Sequence, residues 1–168
     1  MKAIIFAGGV GTRLWPLSRR SSPKQFEKVI GDKSTLQLAA ERIIPCINWE
    51  DIYVATSKRY VRIIREQLPK LPDSNLIAEP ESRDVGPAVG LVLVKLLDEF
   101  PNEPIVILWS DHMVRKSLLF CKTIQTAGET SFAIKQAPDV YKVKDLILDY
   151  SRLNQKNVGT QQVETNKI

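Results

Sequence analysis

The chain has 168 residues, enough for one domain with a hydrophobic core and rarely enough for two. Apolar residues make up 43% and charged residues 26%, a balance that excludes disordered, fibrous and disulfide-scaffold classes. The formal net charge of +5 is spread along the chain rather than gathered in one run. It suits an anionic ligand or solvated helix faces, and no aromatic-interleaved basic stretch or zinc-finger spacing points to nucleic acid.

Ala3-Ile4-Ile5-Phe6-Ala7 is a continuous apolar run ending in Gly8-Gly9, which reads as a strand buried on both faces that feeds a glycine loop. Thr35–Ile44 carries apolar residues at helical spacing (Leu36, Leu38, Ala39, Ile43), with Ser34 available as a cap and Pro45 beyond the end. Ile52–Thr56 predicts a second strand, and Arg59–Leu68 a helix stopped by Pro69. Asn75–Ala78 predicts a third strand. Pro87–Phe100 predicts the strongest helix, with Val89, Val92, Leu93, Leu96 and Leu97 as its apolar face and Pro101 and Pro104 closing it. Ile105–Trp109 follows as a fourth apolar strand.

Strands that are apolar on both faces and alternate with helices imply an α/β fold, a mostly parallel sheet covered by helices on both sides. Ligands of such sheets sit beyond the carboxyl ends of the strands, which directs attention to Gly8–Lys24, Glu79–Pro87 and Ser110-Asp111-His112. After Lys116 the pattern changes. Helices are expected near Ser117–Thr126 and Val143–Leu153, a short strand at Ser131–Lys135, and a polar tail from Asn154.

Cys46 and Cys121 lie far apart without CxxC spacing, so neither a disulfide framework nor a metal knuckle is signalled and a reducing compartment fits. The chain enters a strand at Lys2, leaving no room for a signal peptide, and no apolar run reaches membrane-spanning length. A cytoplasmic protein is expected, with no membrane and no nucleic-acid partner.

Gly8-Gly9-Val10-Gly11-Thr12-Arg13 follows the first strand, and glycines there let backbone N–H groups approach phosphate oxygens while Arg13 supplies a positive fork. The spacing is neither the dinucleotide G-x-G-x-x-G nor a P-loop, and a glycine turn alone serves equally as a structural bend. Lys24, soon after the loop, can neutralise charge on a transferring phosphoryl group; its plain alternative is a surface lysine.

The stretch from Ala7 through Gly8-Gly9-Val10-Gly11-Thr12-Arg13-Leu14-Trp15-Pro16-Leu17-Ser18-Arg19, followed by Pro23-Lys24-Gln25-Phe26, closely resembles the signature of sugar nucleotidyltransferases. Its Leu-Trp-Pro-Leu-Ser form is similar to that of mannose-1-phosphate guanylyltransferases. Ser34-Thr35-Leu36-Gln37 resembles the helix start after the signature, and Glu79–Ala88 the guanine-recognition segment. There Glu79 and Arg83 match, while Asp84, Val85 and Gly86 depart from the family's Arg-Asn-Thr-Ala-Pro-Ala. Trp109-Ser110-Asp111-His112 resembles the strand-end motif whose Asp holds magnesium. His112, the single histidine, is expected to be structural, because an anionic sugar phosphate needs no general base.

The resemblance implies a Rossmann-like fold of the nucleotide-diphospho-sugar transferase type and transfer of GMP from GTP to mannose 1-phosphate, releasing pyrophosphate. It assigns catalysis to Arg13 and Lys24, nucleotide binding to Gly8, Gly9, Gly11, Thr12, Glu79, Arg83, Gly86 and Pro87, and Mg2+ to Asp111. A Glu carboxylate can accept from the N1 and N2 donors of guanine while backbone near Gly86 and Pro87 holds the base edge; mutual pairing of Glu79 and Arg83 is the alternative. The match fades after about Arg115, so residues 1–116 are expected to form the nucleotide-binding part and 117–168 a divergent, incomplete sugar-binding part of an apparently truncated family member. Two readings follow: a working guanylyltransferase with a short back half, or a chain that binds GTP without turning it over. An incomplete sheet exposes an apolar edge, so self-association, such as a homo-oligomer, or poor solubility is expected.

Overall fold

The computed structural model describes residues 1–9, 23–81, 84–112 and 114–136. Residues 1–130 make one compact unit, and residues 131–168 a second, of which 131–136 are described as the end of a helix. The elements in chain order are β1 (Lys2–Phe6), β2 (Lys28–Ile30), β3 (Lys33–Ser34), α1 (Thr35–Ile43), β4 (Ile52–Ser57), α2 (Val61–Gln67), β5 (Leu76–Glu79), α3 (Val85–Glu99), β6 (Ile105–Trp109) and α4 (Ser117–Gln136).

Among the described residues the main sheet has four strands in the order β5-β4-β1-β6, and every pairing in it is parallel. The expected parallel α/β architecture is therefore present. β1 and β4 are buried at every position, as strands covered on both faces must be. Side chains alternate across the sheet. Ala3 and Ile5 join Leu36, Ala39 and Ile43 of α1, Ile64 of α2 and Ile124 of α4 in one core. Ile4 and Phe6 join Tyr53, Ala55, Ile77 and the α3 residues Ala88, Val92 and Leu96 in the other. Asn75, itself buried, donates to the carbonyls of Glu50 and Ile52 and so ties the start of β5 to β4.

The N-terminus of α1 shows why the helix begins where it does. Ser34 Oγ accepts from the Gln37 backbone N–H at 3.2 Å, and Gln37 Oε1 accepts from the Ser34 N–H at 3.0 Å, a complete capping box. The same hydroxyl donates to Gln67 Oε1 at 2.7 Å, and Gln67 Nε2 donates to the Phe26 carbonyl at 3.0 Å. One polar chain thus joins the turn at Lys24–Phe26, α1 and the end of α2.

Three expectations change. The antiparallel pair β2–β3 was not predicted; it turns at Gly31, whose φ of 58° is the left-handed conformation that glycine adopts without strain. The helix expected over Arg59–Leu68 is a 3-10 turn at Lys58–Tyr60 followed by α2. The strand expected at Ser131–Lys135 is helix: α4 runs without a break from Ser117 to Gln136. Each residue added to an existing helix gains a hydrogen bond, whereas a new strand needs a partner edge, so the short alternation of Ser131–Lys135 loses. Gly128 lets α4 pass the first residue, because a Cβ there would stand 3.0 Å from Met1 Sδ. The expected helix at Val143–Leu153 and the tail from Asn154 lie outside the described residues. No helix among the described residues is long and apolar enough to cross a membrane.

β6 lies at the edge of the sheet, and Ile107 within it is 36% exposed. On α3 the predicted inward residues Val92 and Leu96 are buried, whereas Leu97 faces solvent together with Leu91 and Val94. Ser34→Ala removes both the cap and the hydroxyl bond to Gln67. The expected loss is about 1–2 kcal/mol of unfolding free energy, read from urea denaturation with an unchanged m-value.

Candidate functional site

The register of the sheet sets its carboxyl rim. Phe6 pairs with Ala55 on one side and Trp109 on the other, and Ser57 pairs with Glu79. Two residues beyond Phe6 and Trp109, Gly8 and Asp111 leave neighbouring strands, so Glu79, Ser57, Gly8 and Asp111 follow one another along the rim. Three inter-strand spacings put the two carboxylate-bearing positions on the order of 14 Å apart.

Gly8 lies directly against Glu79. A Cβ on Gly8 would stand 3.4 Å from Glu79 Oε1 and 3.7 Å from the Ser57 backbone nitrogen. The exit of β1 therefore passes at van der Waals distance from the carboxylate. A Cβ on Gly9 would meet nothing within 4 Å among the described residues. Glu79 is 8% exposed, and this burial pushes its carboxyl above the ordinary value.

Beside Glu79 opens a pocket of about 400 Å3 lined by Glu79, Pro80, Glu81, Pro87, Ala88 and Leu91. Its apolar walls come from the start of α3 and the end of β5, with carboxylates at one side. Asp84 caps α3, its carboxylate accepting from the Val85 N–H at 2.8 Å, and no acidic residue lies in the first turn. Gly86 and Pro87 stand in that turn, where Pro87 needs no intrahelical donor. The departure at Asp84 therefore has a structural role as the residue that starts the helix.

Of the residues singled out in the sequence, the structure brings Gly8 to Glu79 and Glu79 to Pro87, with Gly86 adjacent. Gly9 stands at the mouth of the loop. Asp111 is exposed at the other end of the rim, where Ser110 donates its backbone N–H to the Phe6 carbonyl at 3.3 Å. Lys24 opens the 3-10 turn Lys24–Phe26. Gly11, Thr12, Arg13 and Arg83 lie outside the described residues. Among the described residues no group of three or more His, Cys, Asp or Glu side chains gathers as a metal centre.

Sequence reasoning missed Gln25. Its side-chain amide is buried and donates to the carbonyls of Gly9 at 2.7 Å and Ala7 at 3.2 Å, while its own backbone carbonyl accepts from Thr35 Oγ1 at 3.4 Å. Thr56 Oγ1 adds a second bond to the Ala7 carbonyl at 3.0 Å. The turn that carries Lys24 is thereby fixed to both the glycine loop and α1. The available signal was an amide between Pro23 and Phe26, two residues that the fold buries.

The family model described as Nucleotidyl transferase matches residues 2–146. A mannose-1-phosphate guanylyltransferase of Salmonella montevideo is 42% identical over 134 residues, covering 79% of this chain and 28% of that protein. One from Escherichia coli is 39% identical over 128 residues, covering 74% and 27%. Among solved structures, a protein of Thermus thermophilus described as mannose-1-phosphate geranyltransferase superposes with a TM-score of 0.65 at 31% identity, covering 74% of this chain and 36% of that one. The chain thus spans about a quarter of the length of the curated relatives it matches. The match runs from the second residue through the whole parallel sheet and its rim, and the chain belongs to the nucleotidyl transferase family.

Proposed function

We propose that the chain binds GTP along the rim of the sheet and serves the transfer of GMP to mannose 1-phosphate. The observation that carries this reading is the juxtaposition of Gly8, the buried Glu79 carboxylate and the Pro87 pocket. Guanine has the flat apolar faces that Pro80, Pro87, Ala88 and Leu91 accept, and its N1–H and N2–H donate to Glu79. Adenine offers no such pair of donors on that edge. From Gly8 the triphosphate follows the rim toward Asp111; Gly8, Gly9, Gly11 and Thr12 are assigned to the phosphates, and Arg83, Gly86 and Pro87 to the base.

In the reaction a phosphate oxygen of mannose 1-phosphate forms a bond to the α-phosphorus of GTP. The bond from that phosphorus to the bridging oxygen breaks, and pyrophosphate leaves with the electron pair. No covalent enzyme intermediate is needed. Arg13 and Lys24 offset the charge on the leaving oxygens, and Gln25 keeps the Lys24 turn in register with the loop. Asp111 is the residue that would hold a magnesium ion, since its carboxylate oxygens are the hard ligands that this cation takes. Such an ion supplies charge neutralisation along the phosphates.

The alternative reading is a chain that binds GTP without turning it over. Pyrophosphate release from GTP with mannose 1-phosphate and magnesium, measured beside calorimetry with GTP alone, separates the two. Release that needs both substrates marks an enzyme. Tight GTP binding without release leaves only the nucleotide-binding role, and absence of both removes the proposal.

Glu79→Gln tests the base contact. An amide retains one acceptor and turns its NH2 toward a guanine donor, so the GTP dissociation constant is expected to rise roughly 10- to 100-fold with ATP binding unchanged. Stability moves the other way. Burial raises the folded-state pKa of Glu79, so the folded chain holds the proton more firmly than the unfolded chain, and stability falls as pH rises from the ordinary carboxylate range through the raised value. The variant has no such loss. Its Tm is expected to match the parent at about pH 4 and to exceed it at pH 7, in calorimetric scans without nucleotide.

A further inference from the structure

Neither cysteine lines the Glu79 pocket, and the fold brings the two together at the end of α1. α1 ends at Ile43, and the chain then turns through Pro45, which has no N–H to give back to the helix. The Cys46 N–H goes to the Ile43 carbonyl at 2.9 Å rather than to Arg42, the acceptor that regular α-helix would supply four residues back. The Arg42 carbonyl accepts instead from Cys121 Sγ, on α4, at 3.2 Å. Cys46 Sγ donates to the neighbouring carbonyl, Ile43, also at 3.2 Å. Two consecutive carbonyls at the end of one helix therefore hold one thiol each, and the two thiols lie within hydrogen-bonding reach of one another.

The pair has an inner and an outer member. Cys121 is buried, whereas Cys46 is half-buried at the margin of the core and open to a small reagent. The chain has no third cysteine to compete for either sulfur. Among the described residues no third His, Asp or Glu joins them in a group able to hold a metal ion. An accessible thiol with a second one beside it is the arrangement in which an oxidised sulfur is resolved within the chain.

We propose that Cys46 and Cys121 close into a reversible disulfide that ties the end of α1 to α4 when the folded chain meets a small disulfide oxidant such as oxidised glutathione. Cys46 gives its proton to solvent, and its sulfur attacks one glutathione sulfur; a mixed disulfide forms and one glutathione leaves as thiolate. Cys121 then loses its proton and attacks Cys46 Sγ, so the protein S–S bond forms while the mixed bond breaks and the second glutathione leaves. The two protons end on the two glutathiones, two protein thiols are oxidised, and one glutathione disulfide is reduced. In chain order β4, α2, β5, α3 and β6 lie between the sulfurs, so the bond closes a long loop that contains both Glu79 and Asp111. The site does not depend on the nucleotide reading. Burial, with the neighbouring thiol, pushes Cys46 up to about 12, so its thiolate is scarce at neutral pH and the exchange is slow there.

The test is incubation of the full chain, folded and reduced, with oxidised glutathione, followed by acid quench and intact-mass measurement. The expected product is a monomer lighter by two hydrogens, whose digest yields a peptide pair joined through Cys46 and Cys121 and which dithiothreitol returns to the starting mass. Its rate of formation should rise roughly tenfold per pH unit from about pH 7 to 9, as the Cys46 thiolate becomes more abundant. Its Tm without reductant should exceed that of the reduced chain by roughly 5–15 °C, because the closed loop is long. Cys121→Ser is expected to stop at the mixed disulfide on Cys46, and Cys46→Ser to leave the buried Cys121 unmodified. The parent chain decides the question even if either variant folds poorly. A parent that stops at the glutathione adduct, a crosslink that joins two chains or forms only in urea, or an oxidised monomer that melts below the reduced one would each overturn the proposal.

Discussion

The side-chain amide of Gln25 is the contact on which the geometry of the rim depends. β1 ends at Phe6, and the Ala7 N–H, which donates to the Ala55 carbonyl at 2.8 Å, is the last rung toward β4. Gln25 takes the place of a neighbouring strand, donating to two nearby carbonyls, Ala7 and Gly9, from an enclosed position. Among the described residues the Thr56 hydroxyl at Ala7 is the one further side-chain donor to these two carbonyls. The same residue hands the constraint onward to Thr35, and the Ser34–Gln37–Gln67 chain carries it to α2. Ala7 and Gly9 are thus held by a side chain that comes from beyond the loop.

Much of the architecture was legible because each strand of the main sheet is an apolar run and the helices are followed by proline. Ile105–Trp109 matches its predicted bounds, α1 differs by one residue at its end, and β5 is shifted by one residue at both ends. The rim residues Gly8, Glu79 and Asp111 were legible for the same reason, as positions just past apolar runs. What escaped detection is what arises only from tertiary contact. Arg42 sits at a helical position that reads as solvent-facing and is buried instead. Cys46 and Cys121 have no motif spacing, yet the fold brings their thiols into hydrogen-bonding reach, and burial together with Cys121 pushes the Cys46 thiol up to about 12. The β2–β3 pair is too short and too charged to show alternation. At Ser131–Lys135 local alternation was real but subordinate to the helix already under way.

The two faces of the sheet carry charge differently. On the α3 face a carboxylate is buried at Glu79; on the α1 and α4 face a guanidinium is buried at Arg42. Each is shifted by desolvation in the direction that opposes its charge. A core of branched aliphatic side chains offers neither one a counter-ion, so the cohesion of that core must carry both.

β1 lies between β4 and β6, so the first strand of this chain to be synthesised has neighbours encoded far downstream: Ala3 pairs with Ile52, and Lys2 with Ile105. During vectorial synthesis that strand has one open edge until Ile105–Trp109 has left the ribosome. Non-local parallel pairing of this kind closes late and slowly. A nascent chain stalled within α3 would therefore present the sequence Lys-Ala-Ile-Ile-Phe with its β6 side unpaired, and this interval is where chaperone contact would matter most for the protein.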